Sequence, residues 1–321
     1  MPRFAAPGTR LRVPDQFASD VRYYLSLTPR QLPSRYLYDD LGSALFEAIC
    51  RLPWYGITRA ETQLLATHGR GILDRITGLC TVVELGPGSG DKLATLLATH
   101  GRAPLSVHLV DMSRAALEAA RRALPDDRGL TVETHEATYE VGLAAAMRDR
   151  RPPGATLALF LGSNIGNFDP PGSDALLRRI RGALTAGDFL LLGTDLVKAE
   201  TELLLAYDDP LGVTAAFNRN LLVRANRELG ADFVVEAFDH RAVWIADASR
   251  VEMHLVSARR QLVSVPAAGV QLTFEHGESI WTESSYKYRK EEVVDIVARA
   301  GFAMVEQWTE GTFALTLAAA V

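Results

Sequence analysis

Thr81 to Lys92 reads T-V-V-E-L-G-P-G-S-G-D-K, an apolar run that ends on an acidic residue and then breaks into glycines at 86, 88 and 90. Thr81, Val82, Val83 and Leu85 favour a strand and carry no helical spacing, while the glycines permit backbone geometry that a Cβ blocks. Leu93 to Thr99 then reads as a helix. Strand, glycine turn and helix N-terminus together make a floor on which an adenosine-bearing cofactor lies close to the main chain.

The glycine spacing separates the candidate cofactors. Dinucleotide sites use G-x-G-x-x-G, so that a pyrophosphate rests on the helix N-terminus. This chain has G-x-G-x-G with Glu84 two residues before the first glycine, and a carboxylate there suits a cationic amino-acid group better than a diphosphate. The pattern E-x-G-x-G-x-G resembles the first motif of S-adenosylmethionine-dependent methyltransferases. Asp111, closing the largely apolar run Leu105 to Val110, suits both hydroxyls of a ribose. NAD and S-adenosylmethionine share that need, so Asp111 points to an adenosine cofactor without choosing between them. A tight turn holding no ligand would use the same glycines.

Outward from this motif, strands at Thr81 to Leu85, Leu105 to Val110, Leu130 to His135, Thr156 to Leu161 and Phe189 to Thr194 alternate with helices. That order predicts an α/β fold with a doubly wound, parallel sheet. Ligands in such sheets sit beyond the C-terminal strand ends, which nominates Gly86, Asp111, Thr138, Tyr139, the loop Gly162 to Asn167, and Asp195. After Asp195 the alternation stops. Helices at Ala199 to Tyr207 and Val213 to Leu229 are followed by period-two runs, with Val251, Met253 and Leu255 on one face and Leu272 and Phe274 in a later run. This insertion predicts a smaller α+β domain. A helix at Glu291 to Ala300, stopped by Gly301, restores the pattern, and strands Phe302 to Trp308 and Phe313 to Ala319 should pair antiparallel at the sheet edge. Upstream, helices are expected at Pro14 to Leu27, Gly42 to Leu52 and Thr58 to Leu73, with Tyr36 and Trp54 as core caps. The predicted division assigns 58–195 and 287–321 to a methyltransferase domain and 10–57 with 196–286 to a substrate-binding domain.

At 321 residues and 48% hydrophobic, the chain buries a large core. Its longest apolar stretches, such as Leu157 to Leu161, fall far short of the roughly 20 residues that span a bilayer, and Met1 to Pro14 contains no apolar leader segment. We expect a cytoplasmic monomer. Cys50 and Cys80 make no disulfide framework, and no His or Cys pair has ligand spacing, so no metal is expected. A net charge of -5 argues against a nucleic-acid partner, and the arginine clusters 148, 150, 151 and 178, 179, 181 read as solvated helix faces.

Asp169-Pro170-Pro171-Gly172 approaches the motif with which methyltransferases stack a flipped base, but Gly172 cannot stack. We read it as the lead into a helix at Asp174 to Leu184. Asn167 donates and accepts at once, which suits the amine and carboxylate of an amino acid, although an Asx-turn would use it equally well.

Six motifs carry a closer likeness: R-L-P-W-Y at Arg51, E-L-G-P-G-S-G-D-K at Glu84, F-L-G-S-N-I-G-N at Phe160, L-L-G-T-D-L-V-K at Leu191, A-Y-D-D-P-L-G-V-T-A-A-F-N-R-N at Ala206 and W-T-E-S-S-Y-K-Y at Trp281. Together they resemble the histidine Nα-methyltransferases of ergothioneine biosynthesis, from about Tyr36 to the C-terminus. The resemblance implies that Gly86, Lys92, Asp111, Thr138 and Tyr139 line S-adenosylmethionine. It implies that Tyr38, Tyr55, Asn167, Tyr207, Met253, Glu283 and Ser285 surround L-histidine, with Tyr55 and Asn167 holding the reacting amine. Thr138 departs from the acidic residue usual in that family beside the adenine, which predicts weaker cofactor binding. The implied reaction is three methyl transfers to the α-amine of L-histidine. The alternatives are another amino acid or aromatic amine on the same scaffold, or a catalytically silent S-adenosylmethionine-binding regulator.

Overall fold

The computed structural model describes residues 13–101, 104–125, 129–150 and 154–321. The leader reading of residues 1–12, the first residues of the predicted substrate domain and Arg151 lie outside them. Helices α1 (Val13–Tyr24), α2 (Asp40–Cys50) and α3 (Gly56–Asp74), with the two-residue strand β1 (Arg30–Gln31), precede the central sheet. Then come β2 (Leu79–Leu85), α4 (Asp91–Ala98), β3 (Leu105–Asp111), α5 (Arg114–Ala123), β4 (Leu130–Glu136), α6 (Tyr139–Asp149), β5 (Ala155–Phe160), α7 (Pro170–Ala183) and β6 (Phe189–Asp195). The alternation expected from the sequence is present throughout this run.

Two apolar clusters explain why the sheet is covered on both faces. Val82, Val107, Leu109, Leu157, Leu159 and Leu191 pack with the α3, α4 and α5 residues Leu64, Leu93 and Leu117. Their neighbours Val83, Val110, Ala158, Phe160, Leu190 and Leu192 pack with α6, α7 and the later helix α10 (Lys290–Arg299) through Leu143, Leu177 and Val293. Successive strand residues point to opposite faces, so strands apolar at every position fill both layers.

After α8 (Glu200–Tyr207) and α9 (Val213–Leu229) come β7 (Phe238–Ile245), β8 (Arg250–Ser257), β9 (Gln261–Val265), β10 (Val270–Phe274) and β11 (Ser279–Tyr286). One sheet of this region has the order β1-β11-β8-β7, and β9 pairs with β10 separately. The chain returns through α10 to β12 (Phe302–Glu310) and β13 (Phe313–Ala320). The large sheet is ordered β12-β13-β6-β5-β2-β3-β4. The edge pair is antiparallel as expected, and β13 is the strand that runs against its neighbours, one position in from the edge.

Several element ends differ from the sequence reading by one to three residues, and the start of α7 differs most. α7 begins at Pro170, not Asp174, because Asp169 caps it by accepting from Gly172 N at 2.8 Å and both prolines occupy the first turn. Those positions have no intrahelical acceptor for an N–H, so proline costs nothing there. Tyr36 stacks on Phe17 with centroids 4.1 Å apart and Trp54 packs against the core, in the capping roles assigned to them. Among the described residues, no helix is long and apolar enough to cross a membrane.

The tips of β6 and β11 are joined. Tyr288 N donates to Asp195 O at 3.1 Å, and Val197 N donates to Tyr288 O at 3.0 Å. This junction brings β11 to the C-terminal end of the large sheet, where the glycine turn also lies.

Candidate active site

The glycine turn is a cradle that a side chain would fill. Gly86 has φ +75°, and a Cβ built there would lie 3.0 Å from both Asn164 Nδ2 and Tyr139 Oη. Gly90 has φ +82°, with a built Cβ 2.6 Å from Ala120 Cα. Beneath the cradle Glu84 is 1% exposed, and among the described residues its Oε2 has no hydrogen-bond partner. Burial pushes this carboxyl up to about 8, against the opposing charge of Lys92. A buried acceptor without a donor is the group that a cationic amino-acid end would satisfy. The donor set therefore fits S-adenosylmethionine.

The other nominated cofactor residues surround the same cradle. Asp111 Oδ1 accepts from Ser113 N at 2.8 Å at the tip of β3, and burial raises its carboxyl despite that bond. Thr138 is exposed at the N-terminus of α6, and Tyr139 meets Phe160 edge-on at 5.3 Å. Lys92 turns inward: its Nζ lies 2.6 Å from Glu61 Oε2, and Glu61 also accepts from Gly162 N at 2.9 Å through each oxygen. Burial works against the Lys92 charge, but the fully buried Glu61 carboxylate outweighs it and raises the pKa. Lys92 thus ties the cradle helix to the loop after β5.

That loop separates the cradle from a cavity lined by all seven nominated substrate residues: Tyr38, Tyr55, Asn167, Tyr207, Met253, Glu283 and Ser285. They arrive from separate parts of the chain, two of them from one strand. Tyr38 precedes α2, Tyr55 precedes α3, Asn167 ends the loop, and Tyr207 ends α8. Glu283 and Ser285 lie two apart on β11, so they share a face, and Glu283 pairs in register with Met253 on β8. The loop's turn is sharp: Gly162 and Ser163 have φ +72° and +58°, and Ser163 Oγ is fixed by accepting from Asp195 N at 2.9 Å.

Electrostatically the cavity is a buried polar site. Burial pushes the Glu283 carboxyl up to about 7, with Lys287 pulling the other way. Burial likewise raises the phenols of Tyr38, Tyr55 and Tyr207, so all three keep their protons at neutral pH. Among the described residues the Glu283 carboxylate has no ion-pair partner, which leaves it facing the cavity rather than bracing the strand end.

Two residues of the site, Glu61 and Lys287, were missed in the sequence, and Asn164 was nominated only as part of the loop Gly162 to Asn167. Asn164 lines the cavity and also touches the cradle at Gly86, which makes it common to both halves. Glu61 interrupts the apolar stripe Ile57, Leu64, Leu65 and Ile72 of α3, a signal that was there to be read. Lys287 lies behind Tyr207 and Ser285 and is 2% exposed. Conversely, the asparagines of F-N-R-N are scaffold. Asn218 accepts from Thr282 Oγ1 at 2.6 Å, and Asn220 donates to Asp39 Oδ1 at 2.7 Å. The expectation of no metal rested on spacing along the chain, which is blind to His108, Glu133 and His135 on adjacent strands. Their ligand atoms lie within 4.8 Å of one another, with His108 Nδ1 and His135 Nε2 hydrogen-bonded at 3.0 Å.

A family described as histidine-specific, S-adenosylmethionine-dependent methyltransferases matches residues 17–320. The histidine N-alpha-methyltransferase of Mycolicibacterium smegmatis is 41% identical over 304 residues, covering 93% of each chain. That of Mycobacterium tuberculosis is 40% identical over 308 residues, covering 94% of each. Ergothioneine biosynthesis protein 1 of Neurospora crassa is 29% identical over 290 residues, 88% of this chain and 32% of its own length.

Proposed function

The chain belongs to the histidine-specific, S-adenosylmethionine-dependent methyltransferases, and from that membership we propose that it methylates the α-amine of L-histidine three times. The product is the trimethylated betaine, and the fungal relatives named ergothioneine biosynthesis protein 1 support a place for this step in ergothioneine biosynthesis. One observation carries the reading: a cradle with an unsatisfied carboxylate at Glu84 and a cavity with an open carboxylate at Glu283 meet at Asn164.

S-adenosylmethionine supplies a methyl group made electrophilic by its sulfonium. Asp111 holds the ribose, Glu84 takes the cationic amino-acid end, and Gly86, Thr138 and Tyr139 border the nucleoside. Lys92, paired to Glu61, keeps the loop at Gly162 in place. In the cavity, Tyr55 and Asn167 hold the amine and carboxylate of histidine, Glu283 accepts from an imidazole N–H, and Ser285 meets the other nitrogen. Tyr38, Met253 and Tyr207 close around the ring. The raised phenol pKa values leave the tyrosines as hydrogen-bond partners rather than bases, so catalysis rests on aligning a free amine lone pair with the methyl carbon.

Residues 58–195 and 287–321 form the methyltransferase domain in this reading, and 10–57 with 196–286 the substrate-binding domain. In this reading the chain acts as a monomer, in the cytoplasm, on a small-molecule substrate. The test is mass spectrometry of the protein with S-adenosylmethionine and all twenty amino acids. We expect histidine to gain one, two and then three methyl masses. Methylation of a different amino acid, or cofactor binding without turnover, would sink the proposal in favour of another substrate or a regulator.

A further inference from the structure

Lys287 follows the substrate-facing residues of β11 and is closed off from solvent. Its ammonium pairs with the Asp195 carboxylate, Oδ2 lying 2.9 Å away, and donates to Tyr207 Oη at 2.7 Å and Ser285 Oγ at 2.9 Å. Asp195 is held from its other oxygen by Lys198 at 2.7 Å. Tyr207 Oη in turn donates to Ser285 Oγ at 2.7 Å. A serine hydroxyl has two lone pairs and one proton. Lys287 and Tyr207 occupy both lone pairs, so Ser285 has only its proton left to offer the cavity it lines.

We propose that Lys287 is a specificity-determining positioning residue that makes Ser285 a hydrogen-bond donor only, and so selects a ring presenting a lone pair to Ser285 and an N–H to Glu283. This rests on the reading of the cavity as the histidine pocket. A neutral imidazole has one nitrogen of each kind, and in one tautomer and one ring orientation it meets both groups. Phenyl and thienyl rings have neither and leave both groups unsatisfied. The chain of donors from ammonium to phenol to hydroxyl strengthens the last bond, because each donor polarises the next. Burial opposes the Lys287 charge, yet Asp195 and Tyr207 together raise its pKa, so the first donor stays charged.

The test compares the full-length wild type with Lys287→Met, Ser285→Ala and the double variant. The readouts are the KM for histidine, the inhibition constant of 3-(2-thienyl)alanine competing with histidine, and S-adenosylhomocysteine affinity by calorimetry. Lys287→Met should raise the histidine KM on the order of tenfold, while the thienylalanine constant and cofactor affinity stay within about twofold. In the Ser285→Ala background the same change should add less than about twofold. Equal weakening of both amino acids, or full additivity in the double variant, overturns the proposal. A normal loss in Ser285→Ala with a silent Lys287→Met overturns it while leaving the pocket reading intact. An unchanged histidine KM in Ser285→Ala overturns both. Should Lys287→Met not fold, Tyr207→Phe removes one of the two donors to Ser285 and must lower the histidine-to-thienylalanine discrimination; no change there refutes the idea.

Discussion

Glu84 joins stability and function at a single side chain. Its carboxyl moves from an ordinary 4.5 up to about 8, chiefly through burial, with Lys92 opposing and Glu61 and Asp111 reinforcing. Between those values the folded protein holds a proton that the unfolded chain has lost, so stability falls as pH rises from about 4.5 to about 8. Glu84→Gln removes that penalty, and the ligand-free variant should be more stable than wild type at pH 8 by on the order of 1–3 kcal/mol, with little difference near pH 4. The same change should weaken S-adenosylhomocysteine at least about tenfold, because the ammonium loses a charged acceptor. Thermal midpoints at the two pH values and a calorimetric titration check both halves; a variant less stable at pH 8 with unaltered affinity would show that Glu84 has neither role. Glu283 is the counterpart on the substrate side. An apolar ring leaves its buried carboxylate unpaired, so Glu283→Ala should lower kcat/KM for histidine about ten- to a hundredfold and remove the penalty on larger aromatics. Met253→Val adds room opposite it in the strand register. Competing-substrate assays should then show the double variant gaining on tryptophan relative to histidine, and an unchanged ratio in both variants would move the pocket elsewhere.

At the scale of elements, the loop after β5 and strand β11 are held against each other by the absence of a side chain. A Cβ at Gly166 would lie 2.6 Å from Tyr286 O, one residue beyond Ser285. Gly166→Ala must push β11 away from the loop, and a shift near 1 Å in substrate-positioning residues costs on the order of a hundredfold. We expect kcat/KM for histidine to fall by about that factor while S-adenosylhomocysteine affinity stays within about threefold, since the cradle at Gly86 is built from β2. Loss of cofactor affinity to the same degree would mean that the two halves are one rigid unit. The same pair of elements divides what was legible in the sequence from what was not. Unbroken apolar runs such as Leu157 to Phe160 announce a strand covered on both faces, and the glycine turn announces itself by φ-permissive spacing. β11 carries W-T-E-S-S-Y, polar at alternate and adjacent positions, because it lines a cavity on one side and has no apolar period to detect. Its function was visible only through resemblance to a family. The partners of Glu61 and Lys287 were not legible for a related reason: each is a buried charge made tolerable by groups far along the chain, Lys92 and Gly162 for one and Tyr207 and Asp195 for the other.

Across the whole molecule, one apolar cluster runs from Phe17, Leu25 and Leu37 near the N-terminus through Val82 and Leu157 of the large sheet to Phe217 and Leu255 of the insertion. The two sheets therefore share a core and do not meet merely across a polar interface. Inter-domain contacts in many chains are small and polar, and such chains melt in steps. Here the helices of the first 50 residues cannot leave without exposing the side chains against which α9 and the small sheet pack. The junction between Asp195 and Tyr288 ties the large sheet to the strand that lines the cavity. We therefore expect a single cooperative thermal transition, with near- and far-ultraviolet circular dichroism coincident. A ligand of the cradle alone must then stabilise the insertion as much as the sheet. S-adenosylhomocysteine at a hundredfold excess over its Kd contributes about 2.7 kcal/mol, which for a chain of this length moves the midpoint by roughly 4 °C. Both spectral probes should shift together by that amount. Two transitions, of which only one responds to the cofactor product, would show instead that the substrate-side sheet folds on its own and that the shared core does not couple them.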